Sequence, residues 1–234
     1  VVASSVPTDE GGDGEGVEPI LVRLATRETA QGYVGCVLHR GLGVKPRILV
    51  VHGIHTNDDA GWMDYMVRRF IDAGFPSEKW TYGYAYALLT RFQNPGRARK
   101  LKALVRPGDI LLGHSNGCTL IWMAGQLKAP IGGAVLLNPA LDTGRVMAQH
   151  VPWVNLYPNE DDTVVGLADT LFPAHPWGAQ GRDGLKYEDS RYLTVFTRNS
   201  FPPPVSGHSD ILSPGKIEPW TERIITHIEM RLQA

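Results

Sequence analysis

Apolar residues in this chain fall into short unbroken runs separated by longer stretches with helical spacing, and the two kinds of segment alternate from residue 47 onward. The runs "RILVVHG" (47–53), "DILLGHS" (109–115), "GGAVLLNP" (132–139) and "PWVNLYP" (152–158) predict strands buried on both faces. Helical spacing marks "GWMDYMVRRFIDAG" (61–74), a charged segment at about 97–105, "CTLIWMAGQLK" (118–128) and the amphipathic "IEPWTERIITHIEMRL" (217–232). "KWTYGYAYA" (79–87) alternates with period two, which predicts a strand carrying Trp80, Tyr82, Tyr84 and Tyr86 on one face, where packing is the simplest role for them. "RYLTVFTRN" (191–199) predicts another strand. Buried strands separated by helices describe an α/β architecture: a mostly parallel central sheet with helices on both faces.

Ahead of this pattern the chain changes character. Residues 1–19, including "DEGGDGEG", are too polar to offset the entropy of ordering and are expected to form a flexible arm. "ILVRLAT" (20–26) and "GYVGCVLHR" (32–40) are expected to pair as an N-terminal strand hairpin, so that residues 20–234 make one domain.

Composition narrows the function classes. A chain of 234 residues with 43% hydrophobic content can bury one large core. With 23 basic and 24 acidic residues, nothing points to nucleic acid or a charged membrane surface as partner. The cluster Arg91, Arg97, Arg99, Lys100, Lys102 and Arg106 lacks interleaved aromatics and reads as a solvated helix face. No apolar run reaches the roughly 18 residues of a membrane helix, and the basic-then-apolar order of a signal peptide is not visible. Because the first residue is Val1, compartment stays open, as does oligomeric state. Cys36 and Cys118 read as small buried apolar groups rather than as a pair. The segment "PAHPWGAQGRDG" (173–184) is too rich in Pro and Gly for regular structure and reads as a flap or a surface excursion.

The chemistry concentrates in Gly113, His114, Ser115, Asn116 and Gly117, where "DILL" runs into a predicted helix. A G-x-S-x-G pentapeptide alone is weak evidence. Its position raises its weight, because a strand-to-helix turn tight enough to need flanking glycines lifts the serine hydroxyl above the sheet. A glycine-rich turn with an unremarkable surface serine is the plainer alternative.

On these residues the chain resembles the α/β-hydrolase family, from about residue 20 onward. The resemblance implies a nucleophile, an acid and a histidine in that chain order. It assigns Ser115 as nucleophile and His208, in the Gly-flanked loop "SGHSDIL", as base, ahead of His175 and His227. Asp210 is expected to hold or cap that loop. For the acid, "YPNEDDTVVG" offers Asp162 by register, although Asn159 stands where the family usually has glycine; Asp161 competes, and Asp142 more distantly. "VVHGIHT" resembles the family's His-Gly-x loop, so the backbone N–H groups of Ile54 and Asn116 are the expected oxyanion donors, with Gly53 allowing close approach. His52 and His55 are expected to make structural hydrogen bonds, and Trp62 to anchor the oxyanion loop. The histidine spacing fits no metal site, and the reading uses no cofactor.

The activity implied is a serine hydrolase of the esterase or lipase type acting on a small-molecule or polymer-borne ester. Acyl transfer, thioester or peptide cleavage by the same triad, or a non-catalytic binding protein on this scaffold, are the alternatives. Residues 140–151 leave too little chain for a multi-helix lid, which predicts an open cleft suited to short acyl groups or pendant esters of polymers.

Overall fold

A computed structural model describes residues 45–54, 61–83, 87–171, 177–198 and 203–234. The predicted arm and hairpin, with Cys36, Tyr84, Tyr86, His55 and His175, lie outside the described residues.

The unbroken apolar runs form strands β1 (Ile48–Val51), β3 (Ile110–His114), β4 (Gly133–Leu137) and β5 (Val154–Tyr157), buried along their whole length. β2 (Ser77–Trp80) and β6 (Tyr192–Thr194) are more exposed. Among the described residues the six strands pair in parallel in the order β2-β1-β3-β4-β5-β6. Alternate residues point to opposite faces, so each strand feeds two cores. Ile48, Val50, Ile110 and Leu112 pack with Met63, Met66 and Phe70 of α1 (Gly61–Asp72) and with Trp220, Ile224 and Ile228 of α6 (Ile217–Gln233). Leu49, Val51, Leu111 and Leu136 pack on the other face with Leu101 of α2 (Ala87–Leu104) and with Leu120, Ile121 and Ala124 of α3 (Asn116–Gln126). Each large side chain so buried contributes about 1.5–3 kcal/mol.

Three expectations need correction. The predicted strand at 79–87 ends at Trp80 and Ala87 already opens α2, because Tyr82 turns off the sheet to bind His52 and Gly53. The helix expected at about 97 begins ten residues earlier by number, at Ala87, and runs through Pro95. Its buried stripe continues from Ala98 back through Asn94 and Thr90, polar residues that hydropathy does not count as core. Finally, residues 163–171 form α4 (Thr163–Leu171), and part of the segment read as irregular forms α5 (Gln180–Asp183), with Trp177–Gln180 buried rather than on a surface excursion.

The strand order fixes where a site can form. From β1 the chain steps to β2 on one side and then to β3 on the other, so the crossovers diverge at the carboxyl ends of β1 and β3. In an open parallel sheet this divergence leaves a crevice there. His52-Gly53-Ile54 follows β1, and Ser115 follows β3. At the opposite edge Arg47 ties the strands together through ion pairs to the nearly buried Asp109 and to Glu78. Between β4 and β5, residues 138–153 contain neither helix nor strand.

Candidate active site

The elbow is a consequence of crowding. A Cβ on Gly117 would lie 2.5 Å from the Val51 carbonyl oxygen, and one on Gly113 would lie 2.8 Å from the Cys118 nitrogen. Only glycine therefore lets α3 start so close to β1 and β3. Gly53 approaches from β1, where an added Cβ would sit 3.0 Å from that of Ser115. Between them Ser115 adopts φ 55° and ψ −123°, a backbone state that costs a non-glycine residue about 1–3 kcal/mol.

The hydroxyl so raised meets an imidazole. Ser115 Oγ lies 2.7 Å from His208 Nε2, and His208 Nδ1 lies 2.6 Å from Asp162 Oδ2. An ionised carboxylate only accepts, so Nδ1 carries the proton and Nε2 is left to accept from the serine. Asp162 is fully buried, and its other oxygen receives the N–H groups of Val164 (3.1 Å) and Val165 (3.2 Å). One carboxylate thus caps α4 and orients His208, with the helix N-terminus favouring its negative charge.

The competing acids are engaged elsewhere. Asp161 pairs with Arg198 (2.9 Å), and Asp142 accepts the N–H of Gly144 (2.8 Å) within its own turn. Of the competing histidines, His227 sits on α6 and meets the Tyr157 hydroxyl at 2.7 Å.

Three side chains grip the backbone of the His208 loop. The His208 carbonyl accepts from Asn138 Nδ2 (2.6 Å) and from His114 Nε2 (3.0 Å), while Asn159 Nδ2 donates to the Gly207 carbonyl (2.8 Å). Asn159, which stands where the resemblance led us to expect glycine, thereby holds the loop. Below it Asp210 accepts from the Ser206 N–H (2.7 Å), the Ser213 hydroxyl (3.0 Å) and Lys216. Burial works against the Asp210 charge, but these donors outweigh it and bring its pKa down to about 2. Burial, reinforced by the nearby His208, lowers His114 to about 3, so this imidazole stays neutral beneath His208. Trp62 meets the His114 ring edge-on, with centroids 6.1 Å apart.

On the other side of Ser115 lies a buried polar network. Asn116 Oδ1 accepts from Asn94 Nδ2 (2.8 Å) and Trp177 Nε1 (3.1 Å), and Asn116 Nδ2 donates to the Tyr82 hydroxyl (3.2 Å). Ile54 packs with Ala140, Val165 and Trp177 in a small apolar cluster. Among the described residues no group of His, Cys, Asp and Glu could hold a metal ion.

No family model matches the sequence, and no curated protein matches it. Among solved structures, the Pyrococcus furiosus esterase Pf2001 is similar in two crystal forms. One gives a TM-score of 0.52 at 11% identity, covering 80% of this chain and 82% of that one; the other gives 0.51 at 12%, covering 80% and 84%. The fold is the α/β-hydrolase fold.

Within that fold, the structure brings Ser115, His208 and Asp162 into one hydrogen-bonded line and sets Gly53 against the elbow. Sequence reasoning missed Asn138, Asn94 and the second role of Tyr82. A signal existed for Asn94, which lies with Thr90, Ala98 and Leu101 on one helical stripe. For Asn138 the only hint was an asparagine closing an apolar strand, where φ 42° suits that residue type.

Proposed function

We propose that the protein is a serine hydrolase that cleaves carboxylic esters through an acyl-enzyme. The unbroken line from Ser115 Oγ through His208 to Asp162, at 2.7 and 2.6 Å, carries this reading. Ser115 Oγ attacks the ester carbonyl carbon as its proton passes to His208 Nε2. The carbonyl oxygen becomes an oxyanion, held by the N–H groups of Ile54 and Asn116. Collapse expels the alcohol, which takes the proton from His208 and leaves the acyl group on Ser115. Water, deprotonated by His208, then releases the acid and restores the serine. Asp162 keeps the productive tautomer and stabilises the imidazolium formed in each half.

The esterase name of the Pyrococcus furiosus protein agrees with this class, although the fold alone hosts many chemistries. The lack of helix or strand between Asn138 and Trp153 supports an open cleft. Such a cleft offers little apolar wall at about 0.8 kcal/mol per buried methylene, so short acyl chains or pendant esters suit it better than long fatty chains.

The test is covalent labelling together with turnover. A fluorophosphonate should modify Ser115 of the wild-type protein, and Ser115→Ala should abolish labelling and lower ester turnover by about 10⁶ with its fold intact. Turnover by that variant within tenfold of wild type would refute the mechanism. A series of p-nitrophenyl esters beside amide and thioester analogues reads the substrate class, and a preference beyond about ten carbons would contradict the open cleft.

A further inference from the structure

The peptide linking Gly53 to Ile54 is held by its carbonyl. The Gly53 oxygen receives the Tyr82 hydroxyl at 2.8 Å and His52 Nδ1 at 2.6 Å. The roles follow from a third contact, in which the Tyr82 backbone N–H donates to His52 Nε2 at 3.1 Å. Nε2 must therefore accept, which places the imidazole proton on Nδ1, facing the carbonyl. The two rings stack with centroids 3.9 Å apart and planes 13° from parallel, and the Arg97 guanidinium covers the far face of the network at 4.6 Å from the Tyr82 ring centroid. Burial, only partly offset by Asn116, raises the Tyr82 hydroxyl to about 12, which keeps it protonated as a donor.

We propose that Tyr82 and His52 are positioning residues that aim the Ile54 N–H at the oxyanion by holding the carbonyl of the same peptide. The peptide unit is planar, with C=O and N–H antiparallel, so fixing one end fixes the other. Two donors converge on the Gly53 oxygen, the Tyr82 hydroxyl sharing its one proton with the His52 carbonyl at 3.1 Å, and such donation polarises the N–H across the peptide. The Tyr82 hydroxyl also accepts from the Asn116 side chain, whose backbone N–H is the other oxyanion donor. One hydroxyl therefore couples the two chain segments, one after β1 and one after β3. This inference rests on the ester-hydrolase reading above.

Tyr82→Phe tests it, because the substitution keeps the stacked ring and removes only the oxygen. Removing an oxyanion donor outright costs about 10²–10³ in kcat, and a misaimed one should cost less. On p-nitrophenyl acetate we expect kcat to fall about 10- to 100-fold with KM within about twofold. Affinity for a phenylboronic acid, whose serine adduct places an oxygen in the same hole, should fall by a similar factor. The thermal midpoint should drop by no more than about 4 °C. Unchanged kcat and boronate affinity, or a raised KM at constant kcat, would overturn the positioning role. Fluorophosphonate labelling of the wild-type Ser115 is read separately: labelling with a silent Tyr82→Phe defeats only the clamp, whereas no labelling defeats the hydrolase reading and the clamp with it.

Discussion

On the His208 side of Ser115 the groups aligned with the hydroxyl are side chains, and Asn138, Asn159 and His114 grip the backbone of the loop that carries His208. On the Gly53 side the nearest groups are backbone, gripped by the side chains of Tyr82 and His52. The difference bears on what mutagenesis can see. Side-chain chemistry disappears with one substitution, whereas a backbone N–H survives every substitution except proline and can only be misdirected. Variants on the first side should therefore be far more damaging than variants on the second, even if both sides contribute comparably to the transition state.

The sharpest test of this contrast compares two adjacent carboxylates. Asp162→Asn should lower kcat by roughly 10⁴, because the amide cannot hold the tautomer that leaves His208 Nε2 free to accept. Asp161→Asn should change it by no more than about threefold, since that carboxylate is tied to Arg198. Steady-state kinetics on one ester decide the matter, and the reverse order would move the acid by one residue.

A smaller effect is expected beneath His208. Unfolded His114 takes up a proton near pH 6.5, whereas the buried native ring does so only at about 3. Between these values the unfolded state binds more protons, so stability falls as pH falls, by up to about 1.4 kcal/mol per unit. His114→Gln keeps a donor for the His208 carbonyl and removes the titration. Urea denaturation at pH 7, 5.5 and 4.5 should therefore give a shallower decline for the variant than for wild type. Parallel declines would mean that His114 contributes nothing to acid sensitivity.

The same contrast explains what could be read from the sequence. β1, β3, β4 and β5 were legible because strands buried on both faces leave unbroken apolar runs, and the elbow because its glycines recur at fixed spacing where such a run meets a helix, although Gly117 is dictated by the distant Val51 and His52 carbonyls. The structure places Asp162, the residue favoured by register, against His208, whereas its cap on α4 was not anticipated from the sequence. Tyr82 was not legible, since its period-two neighbours imitate a strand and its hydroxyl finds its partner in a segment 29 residues away. The first half of α2 was hidden for a related reason. Thr90 and Asn94 are core residues by position but polar by chemistry, and only the proximity of Asn116 explains why Asn94 is there.

The φ of 55° at Ser115 has a consequence for how such a protein can change over generations. Glycine enters this region without the penalty that a Cβ incurs, so Ser115→Gly should gain about 1 kcal/mol of folding stability while losing the hydroxyl. A chemical-denaturation midpoint no higher than that of wild type would show that the elbow stores no strain. If the gain is found, mutation offers this chain a more stable but inert descendant one codon away, and only selection for turnover keeps the serine in place.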